Sequence, residues 1–130
     1  MRQLPISGFD HLSLTCRRPA ATLRFYTKVL GFRVGTKMPQ WGMTELYAGG
    51  ASLVLVNTTI KKGAWALSPR GAGENVHHFC LRLSRFDDDA LRLRLKSARV
   101  AIEEEHDEGA ERAVYIRDPE GNLVELRGKV

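Results

Sequence analysis

The sequence has only two cysteines, and neither belongs to a CxxC pair or to the spaced framework of a disulfide-stapled domain. Cys16 and Cys80 each lie within an apolar, strand-like run, so both are expected to be buried thiols in a reducing cytosol. Long hydrophobic runs are missing too. No stretch reaches the roughly 18 apolar residues of a membrane span, and residues 1–9 lack the apolar segment of a secretory signal. The expectation is a cytoplasmic protein with no membrane partner. The chain also lacks a block of one charge. Its 20 Lys and Arg outweigh 15 Asp and Glu to leave +5, but the basic residues are scattered, and only Arg17-Arg18 and Lys61-Lys62 are adjacent. That distribution argues against nucleic acid, whereas a diffuse positive field steers a small anionic substrate toward a cleft. What the chain has in quantity is apolar residue. At 43% of 130 residues it is enough for one domain, 1–130, to bury a core without disulfides or structural metal.

Periodicity divides the chain into two copies of one motif. Residues 9–16 alternate His11, Ser13, Thr15 with Leu12, Leu14, Cys16, the repeat of a half-buried strand. Pro19 opens a helix that Gly31 closes, with Leu23, Tyr26 and Leu30 at helical spacing. Strands follow near 32–37, 43–48 and 52–57, punctuated by Pro39 and Gly49-Gly50. The order then repeats: a strand at 76–83, a helix near 87–99 led by Asp87, Asp88 and Asp89, and strands near 101–105, 112–117 and 122–127. The reading is α+β, with two βαβββ modules (about 8–57 and 76–128) forming a cupped mixed sheet with helices on its outer face. Laying His11 on His78 and Gly50 on Gly121 brings Val54 onto Glu125. The linker, 58–75, is long for a small domain, which suits a functional lid and a plain connector packed through Trp65 equally well.

In each strand the apolar parity faces the helices and leaves the other parity on the opposite side. His11, His78 and Glu125 all fall on that side, as do Arg82, Tyr115, Arg117, Arg127 and Tyr47. A lone strand histidine is more often a structural residue, and a lone strand glutamate a solvated one. Three such groups at repeat-related places carry more weight. Two imidazoles and a carboxylate form a facial set that leaves metal positions open, which suits Fe(II) above all, with Zn(II), Mn(II), Ni(II) or Co(II) also compatible. His77, of opposite parity, is the rival to His78.

Asp10-His11-Leu12, the run from Phe25 to Phe32, His77-His78-Phe79 and the run Asp118-Pro119-Glu120-Gly121-Asn122-Leu123-Val124-Glu125-Leu126 together resemble the vicinal oxygen chelate superfamily: glyoxalase I, bleomycin resistance proteins, fosfomycin resistance proteins and extradiol dioxygenases. The resemblance implies one divalent metal ion on His11, His78 and Glu125, and a homodimer. Whether one chain or two build the site stays open. True glyoxalase I has a fourth ligand where this chain has Val54, so that activity is not expected. The spacing of His106 and Tyr115 resembles that of the histidine and tyrosine that stand beside the metal ligands in the dioxygenases, although the further histidine of those enzymes, near Ala51-Ser52, is missing. Residues 108–111 fall where fosfomycin enzymes bind a monovalent cation, without their substrate-binding lysine and serines. The expected protein is a metal-dependent enzyme of the dioxygenase or lyase type. Tyr115 and His106 would be catalytic, and Arg82, Arg117, Tyr47 and Trp65 would bind a small oxygen-chelating substrate. The alternatives are a thiol transferase, a metal-independent drug or metabolite binder of the bleomycin-resistance type, and an interaction module with a relic site.

Overall fold

The computed structural model describes residues 3–67 and 76–130. Strand β1 (Leu12–Cys16) pairs in parallel with β4 (Ala51–Asn57), and β4 pairs antiparallel with β3 (Met43–Ala48), which carries β2 (Arg33–Met38) on its outer edge. The second sheet repeats the first. In it β5 (Phe79–Arg82) pairs in parallel with β8 (Leu123–Lys129), followed by β7 (Glu111–Arg117) and β6 (Glu104–Asp107). The orders β1-β4-β3-β2 and β5-β8-β7-β6 are one topology written twice. Register agrees with the alignment of the copies, since Ser13 faces Val54 as Cys80 faces Glu125.

Each sheet covers one face with helix. The first helix, α1 (Pro19–Arg24), begins at the proline whose missing N–H is no loss at a helix start, then widens into a π-helical turn over Phe25–Val29. This turn is not foreseen in the sequence, where an ordinary helix is expected up to Gly31. The second, α2 (Asp88–Ser97), is capped by Asp87, whose carboxylate accepts from Ala90 N–H at 3.1 Å. Leu14, Tyr26, Leu46, Leu53, Leu95, Val114, Ile116, Val124 and Leu126 make one core shared by both sheets and their helices. Among the described residues no helix is long and apolar enough to cross a membrane.

Two expectations need correction. Cys16 is buried, but Cys80 is exposed, because it shares the polar parity of β5 rather than the apolar one. The strand expected at 101–105 forms instead at Glu104–Asp107, since its ladder partners Arg112–Tyr115 pair with those four residues. Of the linker, Lys61–Ala66 is a short 3-10 helix, and residues 68–75 lie outside the described residues.

Candidate functional site

Glu125 sits in the middle of β8, paired across the sheet with Cys80 and Tyr115. Its neighbours Val124 and Leu126 enter the core, which forces its side chain onto the other face. The residue is nevertheless only 4% exposed. Tyr115 Oη donates to Oε1 at 2.8 Å, Arg127 Nε donates to Oε2 at 2.7 Å, and His78 Nε2 stands 3.2 Å from Oε1. The Nδ1 atoms of His77 and His78 lie 2.9 Å apart, so one ring donates to the other, and it is His78 rather than His77 that reaches Glu125.

The electrostatics follow from these contacts. Burial pushes the Glu125 carboxyl up, but the hydrogen bonds from Arg127 and Tyr115, with the charges of Arg127 and His78, outweigh it and hold the group below the usual glutamate range. The hydrogen bond to Glu125, aided by burial, pushes the Tyr115 phenol up to about 12, so it keeps its proton at neutral pH. The Arg127 guanidinium is held above its ordinary value by Glu108 and Glu125, and it grips Glu108 with both terminal nitrogens, at 3.0 and 3.3 Å. Donors bound to one ion at about 2.1 Å and roughly 90–110° apart stand about 3.0–3.4 Å from each other. The His78–Glu125 pair therefore has a spacing and chemistry that fit two adjacent ligands of a divalent ion.

His11 does not join them within the chain; among the described residues no three His, Cys, Asp or Glu side chains converge. It precedes β1 at the end of the other sheet, with Asp10 Oδ1 2.7 Å from its Nδ1 and, among the described residues, no partner on its Nε2. That carboxylate-to-imidazole contact is the kind that orients a metal-binding histidine.

The remaining candidates are dispersed. His106 stacks edge-on against Tyr115 at 5.5 Å, and its Nε2 lies 2.8 Å from a Glu104 carboxylate oxygen. Arg82 shares the Glu125 face but is ion-paired to Glu111 at 3.5 Å. Arg117 is drawn elsewhere, donating to Glu103 and to the Gly121 carbonyl beyond the strand end. Tyr47 belongs to β3 of the first sheet, and Trp65 donates through Nε1 to the Trp41 carbonyl at 2.8 Å. A cleft of about 410 Å³ runs from Ser13 and Thr15 of β1 to His77 and His78, whereas a larger concavity, about 940 Å³, lies between the two helices and shares no residue with the Glu125 cluster.

The Asp118–Asn122 turn does more than sequence reasoning assigns to it. The Asp118 carboxylate accepts from Tyr26 Oη at 2.6 Å and from the backbone N–H groups of Glu120 and Asn122. Glu120 reaches into the other half and accepts from the N–H groups of Arg17 and Arg18 and from Thr22 Oγ1, at the entry to α1. An acid in a turn, placed before a strand, gave no sequence signal for a partner about a hundred positions away.

Comparison with known proteins agrees with this architecture. The Salmonella typhimurium virulence protein STM3117 is 27% identical over 125 residues, 95% of this chain and 85% of that protein. A crystal structure of a lactoylglutathione lyase from Agrobacterium tumefaciens superposes with a TM-score of 0.72 and 25% identity, covering 96% of each chain. The fosfomycin resistance protein FosX from Listeria monocytogenes shares the fold at a TM-score of 0.71 and 18% identity, over 96% of this chain and 95% of that one. With a family match that runs from residue 8 to residue 126, the chain belongs to the Glyoxalase/Bleomycin resistance protein/Dioxygenase superfamily.

Proposed function

We propose that this protein is a metal-dependent enzyme of the glyoxalase/extradiol dioxygenase type acting on a small oxygen-chelating substrate. One divalent ion, Fe(II) by preference, would be held by His78 and Glu125 of one protomer and His11 of a second copy. Members of the superfamily commonly bind a divalent metal and often dimerise. The observation that carries the reading is the half-buried His78 standing 3.2 Å from the buried Glu125 carboxylate, which is itself steadied from both sides. His11 has the same position in its half as His78, and its Nε2, which has no partner among the described residues, supports supply across a dimer.

When bound, the ion would act as a Lewis acid on a chelated substrate oxygen. The residues around it have separable tasks. Arg127 fixes Oε2 of Glu125, which leaves Oε1 as the donor oxygen. Tyr115 carries a proton at Oη and, shifted from Glu125 to a substrate oxygen, would donate a hydrogen bond there. The reaction is not that of a true glyoxalase I. Val54, buried in β4, takes the place of that enzyme's additional ligand.

The test is metal content with complementation. Purified protein should contain one ion per chain, lost on alanine substitution at His11, His78 or Glu125. A mixed dimer of His11→Ala and Glu125→Ala protomers should recover one ion in two chains, because one of its shared sites is intact. No recovery would place the site within one chain, and metal content indifferent to all three substitutions would end the proposal.

A second reading, a metal-independent binder of a drug or metabolite, draws on the exposed aromatic surface of Trp41, Tyr47 and Trp65. TnmS3, an antibiotic binding protein from Streptomyces sp. CB03234, shares the fold at 23% identity. Tight ligand binding in excess chelator would favour it, and fosfomycin-type thiol addition would be separated from both by thiol-dependent turnover.

A further inference from the structure

The groove between the helices collects cations that the Glu125 cluster does not use. Arg24, Lys28, Arg94, Arg99 and Arg117 line it, against only two carboxylates, Glu103 and Asp118. Both acids are already engaged, Glu103 by Arg117 and Asp118 by Tyr26. No carboxylate among the described residues lies within ion-pairing distance of Arg24, Lys28, Arg94 or Arg99, so three of the chain's five net positive charges converge here. Arg24 and Lys28 are four positions apart in the first helical segment, a spacing at which like charges repel. Arg99 adopts φ 58°, a left-handed conformation that ordinarily favours glycine or asparagine at a helix end.

Between these cations the walls are apolar. Ala21, Phe25 and Val29 form one side, and Ala90, Leu93 and Ala98 the other, with Leu93 left 67% exposed. The volume, about 940 Å³, is that of a small-molecule site. Helix-end carbonyls favour cations near a C-terminus, which accounts for where these residues sit along each helix but not for their convergence on one apolar slot.

We propose that this groove binds a small amphipathic anion, its carboxylate or phosphate head held by Arg24, Lys28 and Arg99 and its apolar body laid against Phe25, Val29 and Leu93. The test uses dodecanoate and dodecyl phosphate below their micellar concentrations, with dodecyl maltoside as the neutral control, followed by amide NMR of the full chain. Saturable shifts in residues 21–29 and 90–101 are expected with both anions and not with the neutral detergent. Affinity should fall about tenfold in Lys28→Glu and in Arg99→Glu, the loss of one charge-assisted contact. Leu93→Asp, a surface change, should weaken binding while leaving the melting temperature near that of the parent. If the neutral detergent binds equally well, if the shifts gather at Tyr115 and Glu125, or if the variants lose stability without losing affinity, the cations serve only the helix ends and the proposal fails.

Discussion

In the first sheet Val54 lies between Ser13 and Glu45; in the second, at the same register, Glu125 lies between Cys80 and Tyr115. Both central residues are buried. A buried carboxylate is tolerated only where donors surround it, and the second sheet supplies Tyr115, Arg127 and His78. The first sheet offers the opposite, a second acid, at the position that pairs with Val54. The difference between a half that houses a buried charge and one that does not therefore resides in the neighbours as much as in the residue itself.

Exchange of the two residues gives the largest effects. Glu125→Val should remove bound divalent metal altogether, read by elemental analysis, and a protein that keeps its ion would break the comparison. Val54→Glu should destabilise by about 3 kcal/mol in urea denaturation, because the new carboxylate is buried beside Glu45, with Ser13 rather than a cation on its other side. A neutral outcome would mean that the first sheet can house a charge after all. The Arg127 contact comes next: Arg127→Gln should weaken metal affinity by about tenfold in a competition titration, as loss of a group that orients a ligand does. Tyr26→Phe should cost about 1 kcal/mol by the same denaturation measurement, since Asp118 keeps its other donors.

The smallest effect is in pH, where the halves should respond from opposite sides. Burial pushes the Cys16 thiol up from 9.0 to about 12, and burial with Asp118 raises the Tyr26 phenol above its ordinary 10.0. Both bind protons more tightly folded than unfolded, so their stabilisation is complete below about pH 9 and is lost as pH rises. Glu125 is shifted the other way, so its contribution is present above its ordinary 4.5 and is lost as pH falls through its lowered value. Cys16→Ala should flatten the alkaline limb of a stability profile and Glu125→Gln the acid limb; limbs that ignore both changes would refute the assignment.

Much of this was legible in the sequence, because two-residue alternation states which side chains enter the core and the glycine-marked repeat aligns the copies. Parity placed Glu125, His78 and Tyr115 on one face, and the register of β5, β7 and β8 brings them together. Parity has no power across separate sheets: it gives His11 a side, while its grouping with His78 and Glu125 comes from the repeat and the family resemblance, and among the described residues of one chain the three do not converge. It also fails at strand ends, where Arg117 follows the Gly121 carbonyl and Glu103 rather than its alternation. The π-helical turn at Phe25–Val29 left no mark either, since its apolar spacing is that of an ordinary helix.

The turn between the last two strands has a further consequence. With Glu120 seated on the Arg17 and Arg18 amides and Asp118 on the Tyr26 hydroxyl, each copy of the motif holds the other's unmet donors or acceptors. Neither copy carries a full complement of partners alone, and severing them would strand buried polar groups in both. The duplicated halves can drift apart in chemistry, as Val54 and Glu125 have, but at this joint they can change only together.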